Sequence, residues 1–395
     1  MNRVKEILAA IGTAGKNADG SYTRECYSQA YFDAVDVVEE KMYALGMETS
    51  RDAAGNIHGR LPGSVPGLKS ILIGSHLDTV PCGGLFDGAY GVAAGLEVVR
   101  RLKENGKRLR HPLEIYGFNA EESNPIGGTF GSRAVAGLVD PNQPGLSGAL
   151  KSYGRTVQEI MDCKRDFSDA KCYLELHIEQ GDYLFNEGLK IGVVSGIVGI
   201  IRYRVTARGH SNHAGTTMMK NRRDALVAMA KLIAASDEAC REIDDTLVLT
   251  VGTIRVEPGS ENVIPGLCQC TFEMRHMERE KTDALIRRVR EIAASIPEVE
   301  FEIEKKIDKG SVRCDGHLMD VIGQAAGEEG LNPVVMPSGA GHDANPMAHC
   351  LPVGMIFVPS RDGLSHCGEE WTEEADLENG SDVLYKTVEL LDAED

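Results

Sequence analysis

Four short segments of this 395-residue chain place histidines and carboxylates at spacings that chemistry can use. The first is Gly74-Ser75-His76-Leu77-Asp78-Thr79-Val80, followed by Gly84-Leu85-Phe86-Asp87-Gly88-Ala89. His76 closes an apolar run. Asp78, two residues on, projects to the same side of an extended chain, from where it could hold the imidazole in one tautomer. Asp87 falls in a glycine-rich turn ahead of a helical pattern, where a carboxylate can bridge two cations. The second segment is Ala120-Glu121-Glu122-Ser123. Neighbouring carboxylates repel unless a cation or a proton separates them, which suits Glu122 as a metal ligand and Glu121 as a general base. The third is Glu175-Leu176-His177-Ile178-Glu179-Gln180-Gly181, and the fourth is Gly363-Leu364-Ser365-His366-Cys367-Gly368-Glu369-Glu370-Trp371. Taken singly, each reads equally well as a strand exit with a satisfied histidine or as a solvated turn. Four such clusters, each at a strand end, point together to bound metal.

The elements that must position them follow from periodicity. Residues 25–46 have helical spacing and end at Gly46, and 70–75 form a short buried strand. Leu113 to Ala120 is a second apolar strand, and between the two, residues 88–105 carry Val92, Leu96, Val99 and Leu102 at helical spacing. That order predicts a parallel or mixed sheet with helical cover. Further strands are expected at 172–178 and 353–358, and a helical tail at 373–391. The stretch 200–312 differs: strand (Ile200 to Ala207), helix (223–240), strands (247–256 and 262–275), helix (278–295), strand (299–307). It predicts a smaller two-layer α/β sandwich inserted into the larger domain, with hinges near Gly199 and Gly310. The expected division is therefore 1–199 with 313–395, and 200–312.

Composition narrows the function classes. Lys and Arg number 42 against 60 Asp and Glu, a net charge of −18, which disfavours nucleic acid and anionic membranes as partners. The opening residues MNRVKEILAAIGTAGKNADG lack the apolar run of a signal peptide, and no segment approaches the roughly eighteen apolar residues of a membrane span. A cytoplasmic protein is expected. Ten cysteines lie scattered without a CxxC pair, which predicts reduced, mostly buried thiols rather than a disulfide framework or a zinc knuckle.

The chain resembles the M20 metallopeptidase-type amidohydrolases, in the branch of N-carbamoyl-L-amino-acid hydrolases, β-ureidopropionase and allantoate amidohydrolase. The resemblance runs from about residue 20 to the C-terminus and rests on HIEQG (177–181), GHSNHAGTTMM (209–219), ENVIPG (261–266), SGAGHDA (338–344) and DGLSHCGEEW (362–371). Peptidase relatives usually place a carboxylate at the position of His177, so that residue favours the carbamoyl branch. The resemblance implies a mixed-sheet di-metal catalytic domain with a lid and dimerisation domain, one ion held by His76, Asp87 and His177 and a second by Asp87, Glu122 and His366. It makes Glu121 the general base, acting on a water between the ions, and Asp78 the support of His76. It assigns Gln180, His213, Asn262 and Arg275 to the substrate, with Gly339 and Gly341 lining a backbone pocket; His213 would also donate to the oxyanion. By itself Arg275 could equally be a strand-surface charge.

The implied reaction is hydrolysis of the ureido C–N bond of a small carboxylate, an N-carbamoyl-L-amino acid first. Allantoate and ureidoglycolate are alternatives, and an aminoacylase or dipeptidase of the same fold is the more distant one. The cofactors would be two divalent cations, Zn2+ first, with Mn2+, Co2+ or Ni2+ also compatible with mixed imidazole and carboxylate donors. A homodimer through the lid domain is implied. The chain departs from the family pattern at Ser123–Gly128 and at Cys367-Gly368, both beside the site.

Overall fold

The computed structural model describes residues 3–394 and divides into two compact units, one running to Ser195 and resuming at Arg313, the other Gly196–Val312. The division falls a few residues outside the glycines expected as hinges.

In the first unit a nine-stranded mixed sheet runs in the order Glu48–Arg51, Ile57–Leu61, Leu113–Phe118, Ser70–His76, Ala170–Ile178, Val353–Val358, Gly192–Ile197 and Val312–Arg313, with Val334–Ser338 also paired to Gly192–Ile197. Its four central neighbours, from Leu113–Phe118 to Val353–Val358, are parallel. Three of these, Ser70–His76, Leu113–Phe118 and Val353–Val358, are buried along their whole length, as their largely apolar sequences suit strands covered on both faces. The registers His76 with Phe118 and Phe357 with His177 bring the strand ends into line. Residues just beyond them therefore emerge along one edge, where open α/β sheets present their sites.

The main core joins this sheet to the helices Val4–Ile11, Gln29–Ala44, Ala89–Glu104, Gly316–Glu328 and Glu374–Ala393. Ala89–Glu104 approaches so closely that a Cβ on Gly91 would lie 2.5 Å from the Leu176 carbonyl oxygen. Six of the ten cysteines are buried and all are free thiols.

The second unit is a two-layer sandwich. Its antiparallel sheet runs Glu300–Lys309, Gly199–Arg208, Leu267–His276, Val248–Glu257, and it carries the helices Ala225–Ile243 and Arg279–Ala294. Strict alternation along Leu267–His276 buries Cys268, Cys270, Phe272 and Met274 against Met229, Leu232, Leu285 and Val289. The strand expected from 262 begins only at Leu267. Residues 262–266 instead meet the loop after Arg208, through Ala214 N to Asn262 O (2.9 Å), Ile264 N to Asn212 O (2.8 Å) and Gly209 N to Gly266 O (2.9 Å). The Pro265 in this run has no N–H to offer a ladder.

Candidate active site

Five of the residues singled out by type and spacing converge beyond the central strands. Asp87 is their hub. Its Oδ1 lies 3.4 Å from His76 Nε2 and 3.2 Å from His177 Nε2, while its Oδ2 lies 3.1 Å from His366 Nε2. Glu122 Oε1 is 3.2 Å from the same His366 nitrogen. Two donor sets result, His76 with Asp87 and His177, and Asp87 with Glu122 and His366, their atoms within 4.8 Å of one another in each set.

Local backbone explains the aim of each group. His76 Nδ1 is 3.0 Å from the Asp78 carbonyl and His177 Nδ1 2.9 Å from the Ile178 carbonyl. A carbonyl only accepts, so both rings carry a proton on Nδ1 and turn Nε2 toward Asp87. Gly88 has φ +64° and sits where a Cβ would come within 2.4 Å of the His76 ring. No other residue fits that turn.

The site accumulates negative charge. Although burial opposes ionisation of Asp87, hydrogen bonds from His177, His366 and His76 hold its carboxyl well below the usual range. Contacts with Asp87 and Glu122 push His366 up to about 10. A potential that binds a proton this firmly binds a metal cation too, and the donors are of the mixed imidazole and carboxylate kind that divalent ions accept. The residues present thus fit two cations that share Asp87.

Asp78 behaves differently from expectation. Its Oδ1 stays 3.7 Å from His76 Nδ1, because the turn after the strand brings its main-chain carbonyl under the ring instead. The carboxylate is used elsewhere: Oδ1 accepts Glu121 N–H and Oδ2 accepts Glu122 N–H, both at 3.1 Å. It thereby fixes the turn that follows Ala120, whose φ of +59° is left-handed. Burial pushes the Glu121 carboxyl well above the usual range, opposed by His76 and assisted by Glu122, Asp343 and Asp78.

Gln180 was expected on substrate. Its Nε2 lies 2.9 Å from Asp87 Oδ2, so in this structure it supports the central carboxylate. Gly341 stands beside Glu121, since a Cβ built on it would be 3.8 Å from Glu121 Oε1. Gly339 belongs to the same loop, which His342 anchors with Nε2 2.8 Å from Ser338 Oγ and its ring 4.6 Å from that of His177.

The remaining expected residues lie in the second unit. His213 is paired with Val263 across an isolated bridge, which brings it beside Asn262, and its Nδ1 accepts Gly215 N–H at 3.0 Å. Arg275 lies on Leu267–His276 and donates to Glu273 Oε1 from Nε at 2.9 Å and from a terminal nitrogen at 2.7 Å. His276 is buried against Thr246 Oγ1 at 2.9 Å, a structural role.

Two of the buried carboxylates that spacing alone gave no role bear on the site. Glu175 accepts Ser75 Oγ–H (2.9 Å) and Ala344 N–H (2.7 Å) beneath the site. Its signal was there: a charged residue in an apolar strand, on the same face as His177 two residues later. Glu370 is the other.

Comparison with known proteins finds relatives over nearly the whole chain. The model of the peptidase family M20/M25/M40 matches residues 72–390. An N-carbamoyl-L-amino acid amidohydrolase of Geobacillus stearothermophilus is 37% identical over 98% of this chain and 97% of its own length. An allantoate amidohydrolase of Escherichia coli is 35% identical, covering 96% of this chain and 95% of its own. Among solved structures, a hydantoinase/carbamoylase family amidase from Burkholderia multivorans superimposes with a TM-score of 0.88 at 31% identity, over 98% of this chain and 97% of its own. With the family model covering most of its length and relatives this similar over nearly all of it, the chain belongs to peptidase family M20/M25/M40.

Proposed function

We propose that this protein is an amidohydrolase that cleaves the ureido C–N bond of a small carboxylate, an N-carbamoyl-L-amino acid first of all. The observation that carries this reading is Asp87, shared by two donor sets, with Glu121 fixed next to the ligand Glu122. In it His76, Asp87 and His177 hold one divalent cation and Asp87, Glu122 and His366 the other. Bound there, the ions supply Lewis acidity at the carbonyl and a lowered pKa for water.

The rest falls to the chain's own side chains. Glu121 takes the proton from the attacking water and returns it to the leaving nitrogen. His213 donates to the oxygen that becomes negative, Arg275 forks onto the substrate carboxylate, and Asn262 and Gln180 offer amide groups. Gly341 offers backbone beside Glu121, and Gly339 backbone in the same loop. A carbamoyl substrate is released as its amine and carbamate, which decays to carbon dioxide and ammonia. Zinc is the first choice of metal, and a homodimer through residues 200–312 the proposed assembly.

Allantoate or ureidoglycolate is the second reading, favoured by similarity to an allantoate amidohydrolase almost as high as that to the carbamoyl enzyme. Ammonia release is to be measured from N-carbamoyl amino acids, allantoate, ureidoglycolate and dipeptides, with metal-stripped protein reloaded with Zn2+, Mn2+, Co2+ or Ni2+. Turnover of dipeptides alone would sink the ureido reading.

A further inference from the structure

Glu370 is 4% exposed and is not one of the expected ligands, yet it touches the loops that carry two of them. Its Oε1 accepts Phe86 N–H at 2.9 Å and Asp87 N–H at 3.1 Å, and its Oε2 accepts Ser365 Oγ–H at 2.9 Å. Ser365 precedes His366, and its Oγ is also 3.4 Å from Asp87 Oδ2. Space for Glu370 is built in: a Cβ on Gly84 would lie 2.0 Å from Oε1. Next to Glu370, the ring of Trp371 meets that of Phe86 edge to face at 5.7 Å.

The loop also needs holding. His366 has φ +59° and Asp362 φ +54°, left-handed conformations that each cost about 1 kcal/mol or more in a non-glycine residue and persist only where the surroundings impose them. A buried carboxylate accepting two main-chain N–H groups and a hydroxyl is such a surrounding.

We infer that Glu370 is a positioning residue that sets the spacing between Asp87 and His366 and thereby the affinity of the Asp87, Glu122 and His366 set for its ion. This rests on the two-metal reading above. Groups that orient metal ligands typically account for about 10-fold to 100-fold in affinity.

The test is titration of the metal-stripped full-length protein with Co2+, followed by calorimetry and by the visible absorption of bound cobalt. Wild type should bind two ions. Glu370→Ala should keep its fold by circular dichroism but bind one of the two ions, the one that His366→Ala also weakens, about 10-fold to 100-fold less tightly, with an altered cobalt spectrum. Glu370→Gln should restore binding to within about threefold, because the amide oxygen still accepts both N–H groups and the amide nitrogen can donate to Ser365. Ser365→Ala, which deletes a single hydroxyl, should weaken the same ion several-fold and serves if the first variant fails to fold. A folded Glu370→Ala with wild-type affinities would overturn the inference, as would a folded Glu370→Gln as defective as alanine. If Glu370→Ala does not fold, unchanged affinity in Ser365→Ala would overturn it. Wild type binding no Co2+ would instead remove the metal reading itself.

Discussion

Glu121 and Glu122 are adjacent in sequence but differ in what surrounds them. Glu122 meets His366 in an ion pair, while among the described residues no side chain donates to the Glu121 carboxylate, whose main chain alone is pinned by Asp78. A group with a fixed backbone and an uncommitted carboxylate is placed to move a proton. Glu121→Gln should therefore leave folding and metal content unchanged and lower turnover by roughly 10² or more. Elemental analysis beside kinetics checks this, and unchanged turnover would remove Glu121 from the reaction. Asp87 has the opposite character, because both of its oxygens are engaged. Asp87→Ala should lose both ions, whereas His177→Ala or His366→Ala should mainly weaken one. Retention of one ion at normal affinity by Asp87→Ala would argue against a bridge.

At the scale of elements, the strand Leu113–Phe118 carries a test of its own. Glu114, its side chain 1% exposed, lies 2.8 Å from His58 Nε2 and accepts two terminal nitrogens of Arg165. Burial resists its ionisation, but His58, Arg165 and Ser70 outweigh that and bring it down to about 2. A depressed carboxylate stabilises the fold above its unfolded pKa of about 4.3 and loses that contribution as pH falls toward 2. Glu114→Gln should cost about 2–3 kcal/mol in urea unfolding at pH 7, and the difference should shrink between about pH 5 and pH 3. A gap that stays constant with pH would assign the loss to packing.

The same strand shows what sequence makes legible. Leu113–Phe118 and Ser70–His76 are mostly apolar and were evident, and the alternation of Leu267–His276 marked a half-buried strand. The pair Glu48–Arg51 and Ile57–Leu61 was not, because one strand is polar and mostly exposed and carries no pattern. Site residues were legible where a motif kept them together, as in the run from His177 to Gln180. Contacts across the chain were not: Asp78 reaches Glu121 43 residues away, and Glu370 reaches Asp87 283 residues away, links that only the folded sheet creates.

Across the whole molecule the net charge of −18 repels a small anion, so a carboxylate substrate needs a local positive group. Among the described residues no helix is long and apolar enough to cross a membrane. Arg275, proposed as the local positive group, is held in a particular way. It and Arg202 share one carboxylate, Glu273, with Arg202 Nε 3.0 Å from Oε2 and Arg275 Nε 2.9 Å from Oε1. Arg275 stays within reach of solvent on the sheet of the second unit, its side chain 31% exposed. A charge-assisted fork onto a substrate carboxylate contributes roughly 1.5–3 kcal/mol. Arg275→Ala should accordingly lower kcat/KM by about 10-fold to 150-fold for an N-carbamoyl amino acid. The corresponding amide, which lacks the carboxylate, should lose far less. Because the variant also frees part of Glu273, its fold and metal content need checking by circular dichroism and elemental analysis. If acid and amide lose the same factor in a folded, metal-replete variant, Arg275 serves the sheet or the dimer, and the anchor is to be sought at His213 and Gln180.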